Sequence, residues 1–182
     1  MKIFKRPIIS GLVGAIILAV AVFGLTNAQS SLMTDAQVTR IRANCISAKN
    51  ALIQLHASDA LLRVNRGQIY ESMTTKLMSR FNNRVDSNHY DAKDLISVTE
   101  SYGSTLSQFR TDYQSYEQQL SNALGIDCTK EPVAFYDSVA SSRTKRTQVH
   151  VDVTVLNRYI EIYKSTYNDF ATNFFKSRGG SE

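Results

Sequence analysis

The sequence is short of the residues that interrupt regular structure, with eight glycines and two prolines among 182 residues. β-Sandwiches and other loop-rich folds need many such residues, and so do most disordered chains. Long helices joined by short turns need few of them. Apolar residues make up 43% of the chain, which is enough for the core of one domain. The composition therefore predicts an all-α protein.

Acidic residues are missing before Asp35, where Lys2, Lys5 and Arg6 are the only charged residues. Without these three, 18 basic residues face 16 acidic ones, so the net charge of the remaining chain is +2 rather than +5. Its charges alternate in sign along the sequence, whereas a nucleic-acid-binding protein clusters its excess positive charge on one element. The charge pattern predicts no nucleic-acid partner.

An uncharged segment, residues 7–25, follows this basic start. As a helix, its 19 residues would span about 28 Å, close to the thickness of a bilayer core. We therefore predict that residues 1–28 are a signal anchor, which holds the protein at the membrane by a single N-terminal span. The small residues around Ala28 also fit a signal peptide, so a protein secreted after cleavage following Ala28 is the alternative. In both cases the C-terminal domain lies outside the cytoplasm.

Apolar residues recur every three or four positions along three segments, the spacing of helices that bury one face. The predicted helices cover residues 35–85, 91–124 and 131–176. Residues 29–33 form a short linker before them, and residues 177–182 form a flexible tail. The first apolar stripe contains Val38, Ile41, Cys45, Ala48, Leu52, Leu55, Leu62, Ile69, Met73, Leu77, Phe81 and Val85.

The ends of these helices carry typical capping residues. Thr34 and Gln37 fit a capping box at the start of the first helix. Gly125 fits the left-handed residue that ends the second helix, and Pro132 suits the first turn of the third. The alternating valines at 149–155 favour a strand when taken alone. The sequence offers no second strand to pair with them, so we prefer a helix.

Short connections make neighbouring helices antiparallel, so residues 34–176 are predicted to form an elongated antiparallel three-helix bundle of the coiled-coil type. If the first turn centres near residue 88, Cys45 lies beside residue 131, within one helical turn of Cys128. Both cysteines belong to the part predicted to be exported, where thiols are oxidised. The sequence thus predicts a disulfide between them, which joins the second turn to the first helix.

Charged residues interrupt or flank all three apolar stripes near the middle of the bundle. The same pairing of helices brings them to one level, and we predict a salt-bridged polar layer there. Such a layer fixes the register of the helices at some cost in stability. Two alternatives stay open, namely arginines that hold a small anion and charged groups that reach outward into solvent. The residues of the layer are Asp59, Arg66, Arg110, Asp112, Arg143 and Arg146.

Two features near the far end of the bundle are candidates for contact with a partner. Lys76, Arg80 and Arg84 are spaced by four residues and form a basic stripe on the first helix, for which an ordinary solvated face is the alternative. Phe174 and Phe175 are adjacent, so they cannot both face the core. We predict that one or both are exposed, either as a partner contact or as a cap on the end of the core.

Motifs for catalysis and cofactor binding are absent from the sequence. It contains no Gly-rich phosphate loop, no G-x-S-x-G turn and no H-E-x-x-H helix. His56, His89 and His150 are far apart, and none has a second histidine at metal-ligand spacing. We expect no catalytic residue, no cofactor and no metal, and hence no enzyme activity.

Three short blocks carry a resemblance to a known group of proteins. They are DALLRVNRGQ at residues 59–68, FRTDY at 109–113 and FYDSV at 135–139. In them the chain resembles uncharacterised exported helical proteins of ultrasmall, host-dependent candidate-phylum bacteria (Saccharibacteria-like), over about residues 35–175. The resemblance implies no activity. It implies a setting, the reduced envelope of a bacterium that lives attached to other cells.

The expected function is that of a non-enzymatic cell-envelope or surface protein, a membrane-anchored helical stalk that mediates protein–protein contact. Its partner would be an unidentified envelope protein or a protein of a neighbouring cell, and formation of a homo-oligomer is also open. The alternative is an extracytoplasmic helical bundle that binds a small anion or acts as a sensor.

Overall fold

The computed structural model describes residues 33–179, and every regular element in that range is a helix. The predicted all-α class is confirmed, and the valines at 149–155 are helical. Within the described range, no helix is both long and apolar enough to cross a membrane. The predicted membrane segment at 7–25, the cleavage site after Ala28 and most of the predicted linker lie outside the described residues.

Residues 35–87 form a nearly continuous helical segment, the first arm. It consists of α1 (Asp35–Ala43), α2 (Cys45–Ser72), a π-helical segment (Met73–Met78) and α3 (Ser79–Ser87). The predicted single helix over residues 35–85 is therefore wrong in detail.

The start of the first arm and its first interruption both depend on side-chain hydrogen bonds. The Gln37 N–H donates to the Thr34 hydroxyl at 3.3 Å, and the Thr34 N–H donates to the Gln37 side chain at 2.8 Å. These two bonds confirm the predicted capping box. Asn44 separates α1 from α2, and its side-chain amide donates to the Arg40 carbonyl at 2.9 Å. That bond competes with the regular backbone bonds of a helix.

The π-helical segment rotates the inward face of the first arm. A π-helical turn holds more residues than an α-helical turn, so the residue that meets the core is displaced along the sequence. Leu77, predicted in the apolar stripe, is 51% exposed, whereas its neighbour Met78 is fully buried. The hydroxyls of Thr74 and Thr75 donate to carbonyls one turn back, at 3.5 and 2.8 Å, within this segment. The same rotation brings Asn82 into the core.

α3 ends in a Schellman motif that contains no glycine. His89 has a φ of 60°, the left-handed conformation that this motif requires. Its N–H donates to the Asp86 carbonyl at 2.8 Å, and the N–H of Tyr90 donates to the Val85 carbonyl at 3.1 Å. Gly125, predicted to be the left-handed residue, is helical instead. The turn after α3, rather than the end of the next helix, therefore carries this motif.

α4 (Lys93–Gly125) and α5 (Pro132–Gly179) form the α4–α5 hairpin. α5 begins at Pro132, as predicted, because the missing N–H of proline costs nothing in the first turn. Residues 177–179 continue the helix, so the predicted flexible tail is wrong for them, and residues 180–182 lie outside the described range.

The two helices of the hairpin run in opposite directions. The Gln119 side chain donates to the Ser138 hydroxyl at 3.0 Å near the loop, and Lys145 donates to the Ser115 hydroxyl at 2.6 Å further along. α4 is buried along one face from end to end, with inward residues spaced alternately by four and three, as in a coiled-coil seam. These residues are Leu95, Thr99, Tyr102, Leu106, Phe109, Tyr113, Tyr116, Leu120 and Ala123.

The first arm runs opposite to α4 and is joined to the hairpin by the predicted disulfide. The Tyr102 hydroxyl donates to the Tyr70 carbonyl of α2 at 3.1 Å. Cys45 at the start of α2 is bonded to Cys128 in the loop between α4 and α5, with 5.6 Å between their Cα atoms. Phe135 packs against the bridge, so the disulfide belongs to a small core cluster of its own.

The first arm packs unevenly against the hairpin. Leu62 and Ile69 of α2 belong to the predicted inward stripe, yet they are 48% and 59% exposed. Other apolar residues of α2, Ile46, Ile53 and Val64, are exposed as well. The packing is tight at Tyr70 and at the disulfide but open between them, so a gap remains beside the middle of α2.

Candidate functional site

The gap beside α2 is a cleft of about 600 Å³ in the middle of the bundle, within the size range of small-molecule sites. α4 forms its floor with the buried aromatic residues Phe109, Tyr113 and Tyr116. α2 and α5 form its walls. The wall residues are Asp59, Leu62, Arg63, Arg66 and Tyr70 of α2, and Arg143, Arg146, Thr147, Val149, His150 and Val153 of α5.

Asp59 is the buried group that links the two walls. Its Oδ2 accepts hydrogen bonds from Arg146 Nε and from the Tyr116 hydroxyl, both at 2.7 Å, and its Oδ1 accepts from Arg146 Nη2 at 3.0 Å. Burial alone would raise the pKa of Asp59, but the hydrogen bonds from Arg146 and Tyr116 outweigh burial and hold the pKa below its ordinary value. At neutral pH the carboxylate is therefore ionised and is neutralised by Arg146.

Three further arginines line the cleft. The guanidinium carbon of Arg63 lies 5.0 Å from the centre of the Tyr113 ring, a cation–π contact. Arg66 and Arg143 are exposed on opposite walls, and among residues 33–179 neither side chain has an ion pair or a hydrogen-bond partner. Because Asp59 is already paired with Arg146, the rim of the cleft keeps an excess of positive charge.

Two members of the predicted polar layer lie outside the cleft. Arg110 forms an ion pair with Glu71 at the surface. Asp112 lies beside the buried Asp152 on the seam between α4 and α5. Burial raises the pKa of Asp152, a hydrogen bond from Gln148 at 3.2 Å opposes this, and Asp112 raises it further.

The prediction of one salt-bridged layer is therefore wrong in part. The structure divides it into the Asp59–Arg146 pair, the arginine rim and a separate pair of carboxyl groups. The antiparallel register places these residues at one level along the bundle. Arg110 and Asp112, however, lie on faces of α4 that point away from the cleft. Register alone does not fix the face of each residue.

A second buried polar network lies closer to the α3–α4 turn and is missing from the sequence-based predictions. The Asn82 amide donates to the Thr99 hydroxyl at 2.8 Å and to the Leu95 carbonyl at 3.1 Å, and its carbonyl accepts from the Tyr163 hydroxyl at 2.8 Å. Asn82 thereby joins three helices. In the sequence, Asn82 lies between the stripe residues Phe81 and Val85. Uniform α-helical spacing does not place it on the inward face, so its burial was not predicted.

The end of the bundle at the α3–α4 turn, the tip, carries a cluster of aromatic residues. The Phe170 ring centre lies 5.8 Å from that of Phe81 and 6.1 Å from that of Phe174, and Tyr90 lies 5.0 Å from Phe174. Phe175 contacts Phe174 at 5.5 Å between ring centres, yet it is 70% exposed. One of the two adjacent phenylalanines thus joins the cluster, and the other faces solvent, in agreement with the prediction.

A groove of about 280 Å³ crosses the aromatic cluster. Arg84 lines it together with Phe174 and Phe175, so the structure brings these three predicted contact residues together. Lys76 and Arg80 are exposed on the first arm outside the groove, and within the described part of the chain neither has an ion-pair partner. They extend the positive charge of Arg84 along the first arm.

The other side of the tip is acidic. A second groove of about 600 Å³ adjoins Phe170 and Phe174, and Asp91, Asp94 and Asp169 line it. The aromatic cluster therefore separates a basic side of the tip from an acidic side.

In the range that the structure describes, no three His, Cys, Asp or Glu side chains lie close enough together to hold a metal ion. No family model, no curated protein and no solved structure matches this chain, so its function is inferred from the cleft and the tip.

Proposed function

We propose that this protein is a non-enzymatic stalk of the cell envelope whose tip binds an acidic segment of another protein. In this proposal residues 7–25 hold the chain in the membrane, and residues 34–176 form an elongated antiparallel three-helix bundle of the coiled-coil type outside the cytoplasm. The observation that carries the proposal is the groove at the tip, where exposed aromatic side chains lie beside Arg84.

The regularity of the hairpin supports a stalk. Its helix α5 has 48 residues, which gives a length of about 70 Å at the α-helical rise. The alternating spacing along α4 is that of a coiled-coil seam, in which helices wind around a common axis and stay in contact along their length. A module of this kind can hold a binding surface well away from its base.

The chemistry of the groove supports binding of a protein segment. Aromatic residues and arginine are the residue types enriched at protein–protein interfaces and at their energetic centres. Phe175 is 70% exposed, and Arg84 lines the same groove. Asp91, Asp94 and Asp169 line the other groove, so a segment bound here would meet Arg84 and aromatic rings. An acidic segment that also carries an apolar side chain fits this surface.

Selection of peptides on the full-length protein tests the proposal. A displayed library of random peptides should yield sequences with acidic residues next to an apolar one. Their affinity should fall about tenfold or more in Arg84→Glu, because a charge-assisted contact becomes a repulsion, and also in Phe175→Ser. Asp94→Lys is the matched control, since it changes a charge on the other side of the tip, and it should leave the affinity unchanged.

Two results would contradict the proposal. One is a set of selected peptides without acidic residues, or with binding that survives Arg84→Glu. The other is self-association through the tip, detected by sedimentation of the purified full-length protein. If Arg84→Glu and Asp94→Lys each abolished a dimer and their combination restored it, the occupant of the groove would be a second copy of this chain.

A further inference from the structure

We infer that the central cleft is a binding site for a small amphipathic anion, a molecule with a carboxylate or phosphate head and an apolar body. The site is separate from the tip, and the inference does not depend on the function proposed for the tip.

The floor and one wall of the cleft account for the apolar body. Phe109, Tyr113 and Tyr116 present ring surface to the cleft from the buried face of α4. Leu62 stands on the α2 wall and is half exposed, although the periodicity of α2 places it on the inward face. An apolar ligand body on this floor would cover Leu62 and remove its surface from water, which is favourable.

The rim accounts for the anionic head. Arg66 on the α2 wall and Arg143 on the α5 wall have no partner among the described residues, so a ligand head would not have to displace an internal ion pair. The one carboxylate that lines the cleft in residues 33–179, Asp59, is held by Arg146 and Tyr116 and does not compete for these cations. Guanidinium groups bind carboxylate and phosphate through paired hydrogen bonds.

The apolar part of the cleft and the arginines of its rim together indicate the class of ligand. An inorganic anion would use the arginines but leave the side chain of Leu62 exposed to water. A neutral apolar molecule would cover the floor but leave Arg66 and Arg143 without a partner. An amphipathic anion satisfies both parts of a cleft of about 600 Å³.

The chain contains no tryptophan, so one introduced tryptophan reports on its own surroundings. Leu62→Trp in the full-length protein places this reporter on the cleft wall, at a half-exposed position that tolerates a larger side chain. Ile53→Trp is the matched control, because Ile53 is also half exposed on α2 but does not line the cleft. The probes are 11-bromoundecanoate, whose bromine quenches tryptophan fluorescence on contact, and the neutral 11-bromoundecanol.

We expect 11-bromoundecanoate to quench Leu62→Trp saturably and at about tenfold lower concentration than the alcohol. Adding Arg66→Gln and Arg143→Gln should raise the half-saturating concentration of the carboxylate by about tenfold and leave that of the alcohol unchanged. Arg158→Gln, an exposed arginine of α5 outside the cleft, should have no effect.

Three results would overturn the inference. The first is equal quenching by the carboxylate and the alcohol, or carboxylate quenching that the two arginine substitutions do not weaken. The second is equal quenching of Leu62→Trp and Ile53→Trp, which would show general association with the surface. The third is displacement of the probe by inorganic phosphate as effectively as by undecanoate, which would make the site one for small anions without an apolar body.

Discussion

The first arm and the α4–α5 hairpin carry similar apolar stripes but bury them to different degrees. Every inward residue of α4 is buried, and Leu156 of α5 is 0% exposed. Along α2 the predicted inward residues Leu62 and Ile69 are half exposed. Periodicity shows which residues share a face of a helix. It does not show whether a neighbouring helix lies close enough to cover that face.

The two regions also differ in helical geometry. The hairpin keeps one helical geometry over each of its helices, whereas the first arm is interrupted at Asn44 and changes to π-helical geometry at Met73–Met78. The π-helical segment changes which residues of the arm face the core. The central cleft lies beside α2, between these two changes.

Removing the covalent link between the two regions should change stability the most. The disulfide closes a sequence separation of 83 residues, and Cys45→Ser with Cys128→Ser should lower the free energy of unfolding by about 4.5 kcal/mol in the chain-entropy model. Because the first arm is the less tightly packed region, its amides should exchange faster with deuterium in this variant while those of α4 stay protected. Equal loss of protection in α4 and α2 would show that the two regions unfold as one unit.

A leucine-to-alanine substitution in each apolar stripe should have a smaller effect on stability, and the size of that effect should differ between the two stripes. Leu156→Ala in the hairpin leaves a cavity at a fully buried site and should cost about 3 kcal/mol of unfolding free energy. Leu62→Ala in the first arm removes a half-exposed side chain and should cost less than about 1 kcal/mol. Denaturant titration of the two variants measures both values. Equal costs would mean that the cleft is closed in solution.

The smallest effects concern two carboxyl groups whose pKa values move in opposite directions. Asp59→Asn weakens the link between the first arm and the hairpin and should lower the unfolding free energy by about 1–2 kcal/mol at pH 7, a modest value because Arg146 is half exposed. Asp152→Asn removes a buried like-charge contact with Asp112 and should raise it by about 1 kcal/mol at pH 7.

The pH dependence gives each carboxyl group a separate signature. The pKa of Asp59 is lowered in the folded state, so its stabilising effect is present above the unfolded value of about 3.9 and is lost as the pH falls through the folded-state pKa. The pKa of Asp152 is raised, so stability is lost as the pH rises from about 3.9 through its folded-state pKa.

Unfolding titrations between pH 3 and pH 7 distinguish the two groups. The gain from Asp152→Asn should shrink towards pH 4, whereas the loss from Asp59→Asn should persist there and shrink only at lower pH. A destabilising effect of Asp152→Asn at pH 7 would contradict the assignment of a raised pKa to Asp152.

Most residues of the candidate contact surface at the tip could be predicted from the sequence, whereas the arrangement of the cleft could not. The adjacency of Phe174 and Phe175 is enough to predict that one of them is exposed, because a helix cannot direct neighbouring residues to one face. The sequence put Asp59 and Arg146 in one polar layer but did not predict that they form an ion pair with each other. The burial of Asn82 could not be predicted, because no pattern in the sequence indicates the π-helical segment that turns this residue inward.

Four features could be predicted from the sequence, namely the all-α class, the start of the first arm at Thr34, the start of α5 at Pro132 and the pairing of Cys45 with Cys128. These features depend on local capping and on the length of the helices between short turns. Two features appear only in the packing of the helices: α2 stands away from α5, and four arginines line the gap above an aromatic floor. Such a gap depends on how helix faces rotate against each other over many residues, and small changes in helix geometry set that rotation.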